Sequence, residues 1–300
     1  MQKVDYEAQA RVLEATGNYR VLRRFVPARS YIHADHPVED KALRRGLILD
    51  VETTGLDSGR DQIIELGLLP FDYSARHATV VAVHEPLSYF EDPGQPLRPE
   101  IIELTGITDA MLAGQRIPDA PVKDCLASAS LIIAHNAPFD RPFMERRFAQ
   151  AREANWACSQ REVPWKAYGL RSLSLEMLLL QKCGLFFDGH RATVDCQALL
   201  HLLATPFGDG SLPLQHLLHS ARQPRLRLWA TDAPFDRKDL LKERGYRWNN
   251  GDCGGIKAWY RDLGPEQEAE ETAWLGEAIY GRPEGWLLEK QSARDRYRRS

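Results

Sequence analysis

The sequence lacks the features that mark disulfide-rich, zinc-binding or membrane-spanning proteins. Its five cysteines lie far apart, with no Cys-x-x-Cys pair and no His/Cys ligand spacing, so we expect reduced, buried or semi-buried thiols in a cytosolic protein. No stretch approaches the roughly 18 consecutive apolar residues that a membrane span requires. The opening MQKVDYEAQA has no apolar segment of signal length. The sequence therefore predicts a soluble, cytoplasmic protein with no membrane partner.

An excess of one charge sign is also missing. The formal net charge is −3 over 300 residues, with 39 lysines and arginines against 42 acids. No global basic field indicates a nucleic-acid partner, although a local groove can be basic in a nearly neutral chain. The hydrophobic content of 43% suits a globular core, and the length suggests two domains or one domain with appendages.

A short apolar run that ends in two acids is the first informative feature. Leu47–Leu49 predict a buried strand, and Asp50 and Glu52 follow it with Val51 between them. Alternate strand residues point to one face, so the two carboxylates are expected to project together. Adjacent carboxylates repel each other unless a cation neutralises them. Chance Asp-x-Glu pairs are common, so the other acids decide whether this is a metal site.

The middle of the chain predicts a sheet whose strands alternate with helices. Apolar runs at 62–70, 78–85 and 131–134 predict three further strands. Helical spacing before the last of these runs and again at 170–183 predicts helices packed around the strands. Strands that alternate with helices are typical of an α/β fold.

Three further candidates stand at the ends of these elements. Asp140 lies at a strand-to-helix junction, where the alternative role is a simple helix cap. His190 stands in a turn, and Asp195 lies in the first turns of the following helix. Each residue is unremarkable alone, but in order they join Asp50 and Glu52 as four acids and a histidine.

The segments GLILDVETTGLD, LIIAHNAPFD and HRATVD resemble the three exonuclease motifs of the DEDDh family, which includes the proofreading epsilon subunit of bacterial DNA polymerase III. The segment ELTGIT at Glu103–Thr108 is similar to the same family pattern, and the resemblance covers roughly residues 45–204. It implies an RNase H-like mixed sheet flanked by helices. The catalytic residues that it implies are Asp50, Glu52, Asp140, His190 and Asp195. A tyrosine in place of the histidine would have indicated the sister DEDDy group.

Phosphodiester hydrolysis gives a physical reason for this set. The reaction needs neutralised charge on the phosphate, a deprotonated water and a stabilised leaving oxygen, and two divalent ions about 3.5–4 Å apart meet these needs. Four carboxylates offer hard ligands for two Mg²⁺ ions, with Mn²⁺ as a substitute. Without metal, their pKa values should be raised. An imidazole accepts protons near neutral pH, so His190 is the expected general base.

The resemblance further implies contacts with the substrate. Thr53 would meet the 3′-terminal nucleotide, and Asn136 would lie close to the substrate. Leu56 and Phe139 would pack against terminal bases, with core packing as the alternative for both. The implied activity is a 3′–5′ exonuclease that releases nucleoside 5′-monophosphates from DNA, preferring single-stranded 3′ ends. The alternatives are an exonuclease of RNA ends or short oligoribonucleotides, and a catalytically idle nucleic-acid-binding protein. No protein partner is indicated.

The rest of the chain predicts smaller appendages. The predicted divisions are a helical lead-in at 1–44, the exonuclease domain at 45–204, a linker at 205–224 and a small α+β C-terminal appendage at 225–300. Residues 19–25, YRVLRRF, are expected to wrap onto the domain rather than to form a basic contact surface. The appendage contains a predicted strand, helix and hairpin, too small for a large core of its own, followed by a further helix. We therefore expect it to dock on the domain.

The appendage is also a candidate nucleic-acid contact. Its candidate phosphate-binding residues are Arg225, Arg227, Lys238, Lys242, Arg244 and Arg247, with Trp248 or Trp259 stacking on bases. In the alternative, the tryptophans belong to the core and the cations form a solvated face. The basic tail at 294–299 is expected to be disordered and loosely attracted to nucleic acid.

Overall fold

The computed structural model describes residues 5–32, 43–251 and 255–298. The strands are β1 (Arg23–Arg24), β2 (Leu43–Thr53), β3 (Ile63–Ser74), β4 (Val80–Val83), β5 (Leu87–Phe90), β6 (Leu131–Ala134), β7 (Trp156–Cys158), β8 (Leu185–Phe186), β9 (Arg225–Ala230), β10 (Arg247–Asn249), β11 (Ala258–Leu263) and β12 (Leu287–Gln291). The helices are α1 (Tyr6–Ala15), α2 (Pro99–Thr105), α3 (Asp109–Leu112), α4 (Asp119–Ser128), α5 (Ala137–Arg147), α6 (Gln150–Glu153), α7 (Ser159–Glu162), α8 (Leu175–Cys183), α9 (Ala192–Ala204), α10 (Pro213–Arg222), α11 (Lys238–Glu243) and α12 (Glu268–Trp274). A π-helical turn, Leu275–Tyr280, continues α12. Within the described ranges, no helix has both the length and the apolar character needed to cross a bilayer.

The main domain is built on a mixed sheet. Its strand order is β4-β3-β2-β6-β7, with β5 also paired to β3. β2 runs antiparallel to β3 and parallel to β6, and β6 runs parallel to β7. Helices cover both faces, which is why β6 is an unbroken apolar strand, buried at every position. The predicted α/β class with an RNase H-like mixed sheet is confirmed.

Alternation along β2 sorts its side chains between two apolar cores. Leu47, Leu49 and Val51 pack on one face, in the core shared with α4, α5 and α6. Ile48 packs on the other face, in the core shared with α8, α9 and α10. Because a strand has a period of two, Asp50 and Glu52 point to the same side as Ile48, toward α9.

Several elements differ from the sequence-based expectations. β5 and β7 were not predicted, since four and three residues give too short a run for an alternation pattern. The helix expected at 170–183 begins at Leu175, because the Ser172 hydroxyl accepts the Ser174 N–H and holds the chain in a turn. The third strand is shorter than expected, spanning Val80–Val83 rather than 78–85.

The N-terminal segment wraps onto the main domain as expected. α1 accounts for the predicted first helix. β1 then pairs in parallel with β8. Phe25 enters the core, where the centroid of its ring lies 6.5 Å from that of Phe187. The remainder of the predicted lead-in, residues 33–42, lies outside the described residues.

The expected linker is part of the main core instead. Leu214 and Leu217 on α10 are fully buried among the leucines of α8 and α9. Phe207 stacks on Tyr168 with ring centroids 3.6 Å apart. Pro206, Gly208 and Gly210 form only a short turn before α10, so the prediction of a linker at 205–224 is wrong.

The C-terminal module, residues 225–298, carries its own antiparallel sheet in the order β10-β11-β9-β12. Leu226 and Leu228 of β9 share a core with Leu241 of α11 and Leu275 of the π turn. The predicted strand, helix and hairpin are present. The fourth strand, β12, was not predicted, because its residues LLEKQ are mostly exposed and do not alternate.

The part of the C-terminal tail that the structure describes, residues 294–298, is docked rather than disordered, and residue 299 of the predicted tail lies outside the described residues. The Trp156 N–H donates to the Ala293 carbonyl at 2.8 Å, and the buried Arg141 donates to the Arg294 carbonyl at 2.7 Å. Arg296, itself buried, pairs with the buried Glu162 at 2.8 Å. The charged tail can pack against the main domain because the buried Glu162 carboxylate neutralises the charge of the buried Arg296.

Candidate active site

A cleft of about 380 Å³ opens where β2 ends, between the start of α5 and the turn before α9. The residues predicted for catalysis and substrate binding, Asp50, Glu52, Thr53, Leu56, Asn136, Phe139, Asp140, His190 and Asp195, all line this cleft. Residues nearly 150 positions apart in the chain therefore meet at one place.

Three of the acids form a compact donor set. Asp50 and Glu52 project from the same face of β2, and Asp195 reaches them from the first turn of α9. One oxygen from each of these carboxylates lies within 4.8 Å of the others. Oxygen donors at this spacing suit a hard divalent cation such as Mg²⁺ or Mn²⁺.

Asp140 completes the acidic floor of the cleft. It lies in the first turn of α5, is 2% exposed, and accepts the Val51 N–H at 3.3 Å. The N-cap of α5 is Asn136, so the alternative of a simple cap role for Asp140 is wrong. Its carboxylate points back across the cleft toward β2 and adds its charge to that of Asp50.

The acids of the cleft are difficult to ionise together. Burial, followed by repulsion from the neighbouring acids, raises the pKa of Asp50 well above its ordinary value. Burial, followed by repulsion from Asp195, raises the pKa of Glu52 to about 8. Burial likewise raises the pKa of Asp140 to about 8 and that of Asp195 to about 7. A divalent cation would supply the positive charge that this cluster needs, so the residues present fit a metal.

His190 and Asn136 share an unusual backbone conformation. Their φ angles are 65° and 91°, in the left-handed region that non-glycine residues seldom adopt. Such strain concentrates at functional sites. The His190 side chain is about half-exposed, and its Nε2 lies 3.8 Å from Oε1 of Glu176. The imidazole therefore stands at the mouth of the cleft, in contact with solvent.

The predicted substrate contacts differ in their surroundings. Leu56 is 86% exposed, so the core-packing alternative is wrong for this residue. Phe139 is partly buried, and the centroid of its ring lies 5.2 Å from that of Phe143. Core packing therefore covers only part of the Phe139 side chain. The Thr53 hydroxyl donates to the Gly55 carbonyl at 2.6 Å, which stabilises the turn after β2.

Glu65 is a buried acid behind the cleft that the sequence patterns did not identify as a site residue. Its side chain is fully buried behind the cleft, and it accepts from Nε of Arg191 at 3.3 Å and from the Ala192 N–H at 3.4 Å. It thereby holds the start of α9, which carries Asp195. An acid in the apolar run IIELGLL was the available signal, but its partners depend on strand register.

Two other charged or titratable residues of the cleft have structural partners. Arg98 donates to the Thr54 carbonyl at 2.8 Å, tying α2 to the turn after β2. His135 contacts Ser159 Oγ through Nδ1 at 2.7 Å and the Leu173 carbonyl through Nε2 at 2.8 Å. Burial lowers the pKa of His135. With both nitrogens engaged and a preference for the neutral form, His135 is not placed to act as a base.

A sequence model of the exonuclease family RNase_T matches residues 47–203. The chain belongs to this exonuclease family. It is 36% identical over 121 residues to DNA polymerase III PolC-type of Halalkalibacterium halodurans, a match that covers 40% of this chain and 8% of that protein. It is 26% identical over 207 residues to DNA polymerase III subunit epsilon of Treponema pallidum, covering 65% of this chain and 91% of that one.

Solved structures give matches of lower overall similarity. One is exonuclease X in complex with 5′ overhanging duplex DNA, with a TM-score of 0.39 and 24% identity over 53% of this chain and 89% of that chain. Another is E. coli exonuclease I in complex with a dA16 oligonucleotide, with a TM-score of 0.46 and 15% identity over 73% and 63% of the two chains. The family match confirms the predicted resemblance to exonucleases, while the chain covers less than a tenth of the length of the PolC-type relative.

Proposed function

We propose that this exonuclease removes nucleotides one at a time from the 3′ end of single-stranded DNA and releases nucleoside 5′-monophosphates. The observation that carries the proposal is the meeting of Asp50, Glu52, Asp140, Asp195 and His190 in one cleft. Four acids that burial makes hard to ionise, with a solvent-facing imidazole beside them, suit phosphodiester hydrolysis better than any binding role.

The four carboxylates would hold two Mg²⁺ ions, with Mn²⁺ as a substitute. When bound, such ions supply charge neutralisation at the scissile phosphate and a lowered pKa for the attacking water. The contribution of the protein is to aim the oxygen donors of Asp50, Glu52 and Asp195 at one point. Asp140 approaches that point from α5, with its orientation maintained by the Val51 N–H.

His190 would act as the general base. Its half-exposed position lets the imidazole take a proton from the attacking water and pass it to bulk solvent. The carboxylate of Glu176 lies 3.8 Å from Nε2 of the imidazole. A base of this kind contributes about 10²–10⁴-fold to the rate.

The substrate assignment is supported by the rim of the cleft and by the relatives. Leu56 offers an exposed apolar surface on which a terminal base would pack, and Phe139, Asn136 and Thr53 line the same cavity. Because Asp140 is almost completely buried, a scissile phosphate must enter the cleft to reach it, which favours an unpaired end. Relatives named as DNA polymerase III proteins favour DNA over RNA.

The test is digestion of matched single-stranded DNA and RNA oligomers, each labelled at the 5′ end, with Mg²⁺ and with EDTA. The wild type should produce a metal-dependent ladder that shortens from the 3′ end, faster on DNA. His190→Ala should slow it by about 10²–10⁴-fold, whereas His219→Ala, a surface histidine on α10, should leave it unchanged.

Two results would contradict the proposal. Faster digestion of RNA would identify an exoribonuclease instead. No cleavage of either strand with Mg²⁺ or Mn²⁺ would favour a nucleic-acid-binding protein that retains the fold without the activity.

A further inference from the structure

A second cavity, of about 430 Å³, adjoins the active-site cleft and lies between the main domain and the C-terminal module. Leu56, Pro138 and Arg161 belong to its main-domain wall, and Arg227 and Tyr260 belong to the facing wall on the module's sheet. We call this cavity the arginine groove. None of the site residues described above except Leu56 lies in it.

The groove and the cleft are continuous at Leu56. This exposed side chain lines both cavities. A second point of contact is the start of α5, where Phe139 lines the cleft and its neighbour Pro138 lines the groove. A chain that leaves the cleft past Leu56 therefore enters the groove directly.

Positive charge predominates in the groove, in contrast to the net negative charge of the whole chain. Four arginines, Arg161, Arg227, Arg247 and Arg298, line it together with two aspartates, Asp57 and Asp262. Asp262 forms salt bridges with two of the arginines, at 2.6 Å to Arg227 and 3.2 Å to Arg247. Arg298 also approaches Glu145 at 3.8 Å and Asp295 at 3.7 Å. Arg161 is exposed and has no carboxylate within salt-bridge distance in the described part of the chain.

The module's wall combines these cations with an aromatic ring. The guanidinium carbons of Arg227 and Arg247 lie 4.5 Å and 4.9 Å from the ring centroid of Tyr260. All three side chains stand on one face of the sheet, opposite the face that packs on α11 and α12, since alternate residues point to opposite faces. Cations that track a phosphate backbone beside an aromatic platform are typical of single-strand binding surfaces.

We propose that the arginine groove binds the single strand that leads into the active site, on the 5′ side of the nucleotide being removed. The inference rests on the proposed function, because it assigns the groove to the same substrate. The groove is comparable in volume to the cleft, so it adds a binding length of the same order. Phosphates would contact the arginines, and Tyr260 would support a base.

The groove is preformed rather than assembled by the substrate. Its two walls are connected by the buried ion pair between Arg296 and Glu162 and by the hydrogen bond from Trp156 to Ala293. A wall that is already fixed loses little conformational entropy when the strand binds. The module thus acts as a rigid extension of the substrate path.

The structure also shows which of the cations predicted for nucleic-acid contact lie elsewhere. Lys238 and Lys242 are on α11, on the opposite side of the module's sheet, and Arg244 pairs with Glu270 at 2.8 Å. Trp248 and Trp259 face each other on the α11 side of the sheet. These side chains do not line the groove, and Lys242 therefore provides a matched control.

The experiment compares Arg161→Gln, Arg247→Gln and the double variant with Lys242→Gln. Each protein is assayed by steady-state kinetics on a single-stranded DNA 20-mer and on a DNA dinucleotide, which is too short to occupy the groove. The double variant should raise the KM for the 20-mer by about tenfold, with kcat and the dinucleotide kinetics unchanged. The slope of log KM against the logarithm of the salt concentration should decrease by about 0.7 for each arginine removed.

The outcomes separate the groove from the chemistry. An unchanged KM for the 20-mer, an equal effect on both substrates, or an equal effect of Lys242→Gln would overturn the groove assignment. If the wild type cleaves neither substrate, the proposed function fails, and affinity for the 20-mer in EDTA, measured by fluorescence anisotropy, still tests the groove.

Discussion

Glu162 is a buried carboxylate that contacts the C-terminal tail where the tail docks on the main domain. Its side chain is fully buried, and it accepts hydrogen bonds from four directions. The donors are the Arg296 guanidinium at 2.8 Å, the Tyr297 hydroxyl at 2.7 Å, the Cys158 N–H at 2.9 Å and the Ser220 hydroxyl at 2.8 Å. One side chain therefore joins the tail to β7, α7 and α10.

The substitution Glu162→Gln retains the shape of this side chain but removes its charge. The Arg296 guanidinium is then buried without a counter-charge, in surroundings where burial already lowers its pKa. One acceptor oxygen also becomes an amide that faces other donors. Removing one partner of a buried ion pair lowers the free energy of unfolding by about 3–5 kcal/mol, and we expect a loss in that range.

Urea unfolding, followed by the fluorescence of the seven tryptophans, measures this loss. The matched control is Glu153→Gln, whose contact with Arg294 spans 3.7 Å between largely exposed side chains and should contribute less than about 1 kcal/mol. The double variant Glu162→Gln, Arg296→Met should recover part of the loss, because it leaves no buried charge. If Glu162→Gln and Glu153→Gln unfold within about 1 kcal/mol of each other, the reasoning is refuted.

Two further predictions concern the active-site cleft. In EDTA, the raised pKa values of Glu52 and Asp140, both about 8, mean that the folded protein binds more protons than the unfolded chain above about pH 4. Its melting temperature should therefore fall as the pH rises from about 5 to 8.5. Added Mg²⁺ should make the melting temperature depend less on pH. A melting temperature that rises with pH in EDTA would argue against a cluster of acids with raised pKa values. Gly67→Ala should destabilise the protein by about 1–3 kcal/mol and reduce activity, because a Cβ there would lie 2.5 Å from the Ala192 backbone and displace the helix that carries Asp195. Urea unfolding and digestion rates check this, and wild-type activity in Gly67→Ala would show that the position of α9 does not matter.

Local patterns, together with the resemblance to the DEDDh family, predicted nine of the residues that line the cleft. The alternation of Asp50, Val51 and Glu52 follows from the period of a strand, and the structure places the two acids on one face as expected. The positions of Asp140 and Asp195 follow from the strand and helix patterns around them. Their catalytic roles stay predictions until the variants are assayed.

Features that depend on contacts between distant segments could not be predicted. Glu65 lies opposite Glu52 across the β2–β3 ladder. The register between two strands cannot be predicted from the sequence of either strand alone. The linker and tail predictions were wrong for a related reason. The burial of Leu217 and Arg296 depends on partners in other elements, and composition alone favoured turns and a solvated basic tail.

The most direct test of the central claim is the digestion of a 5′-labelled single-stranded DNA by the wild type and by Asp50→Ala, with Mg²⁺ present. We predict that the wild type shortens the strand from its 3′ end and releases nucleoside 5′-monophosphates, and that Asp50→Ala shows no detectable cleavage. Near-normal cleavage by Asp50→Ala would contradict the assignment of the acidic cluster as the metal-binding catalytic centre.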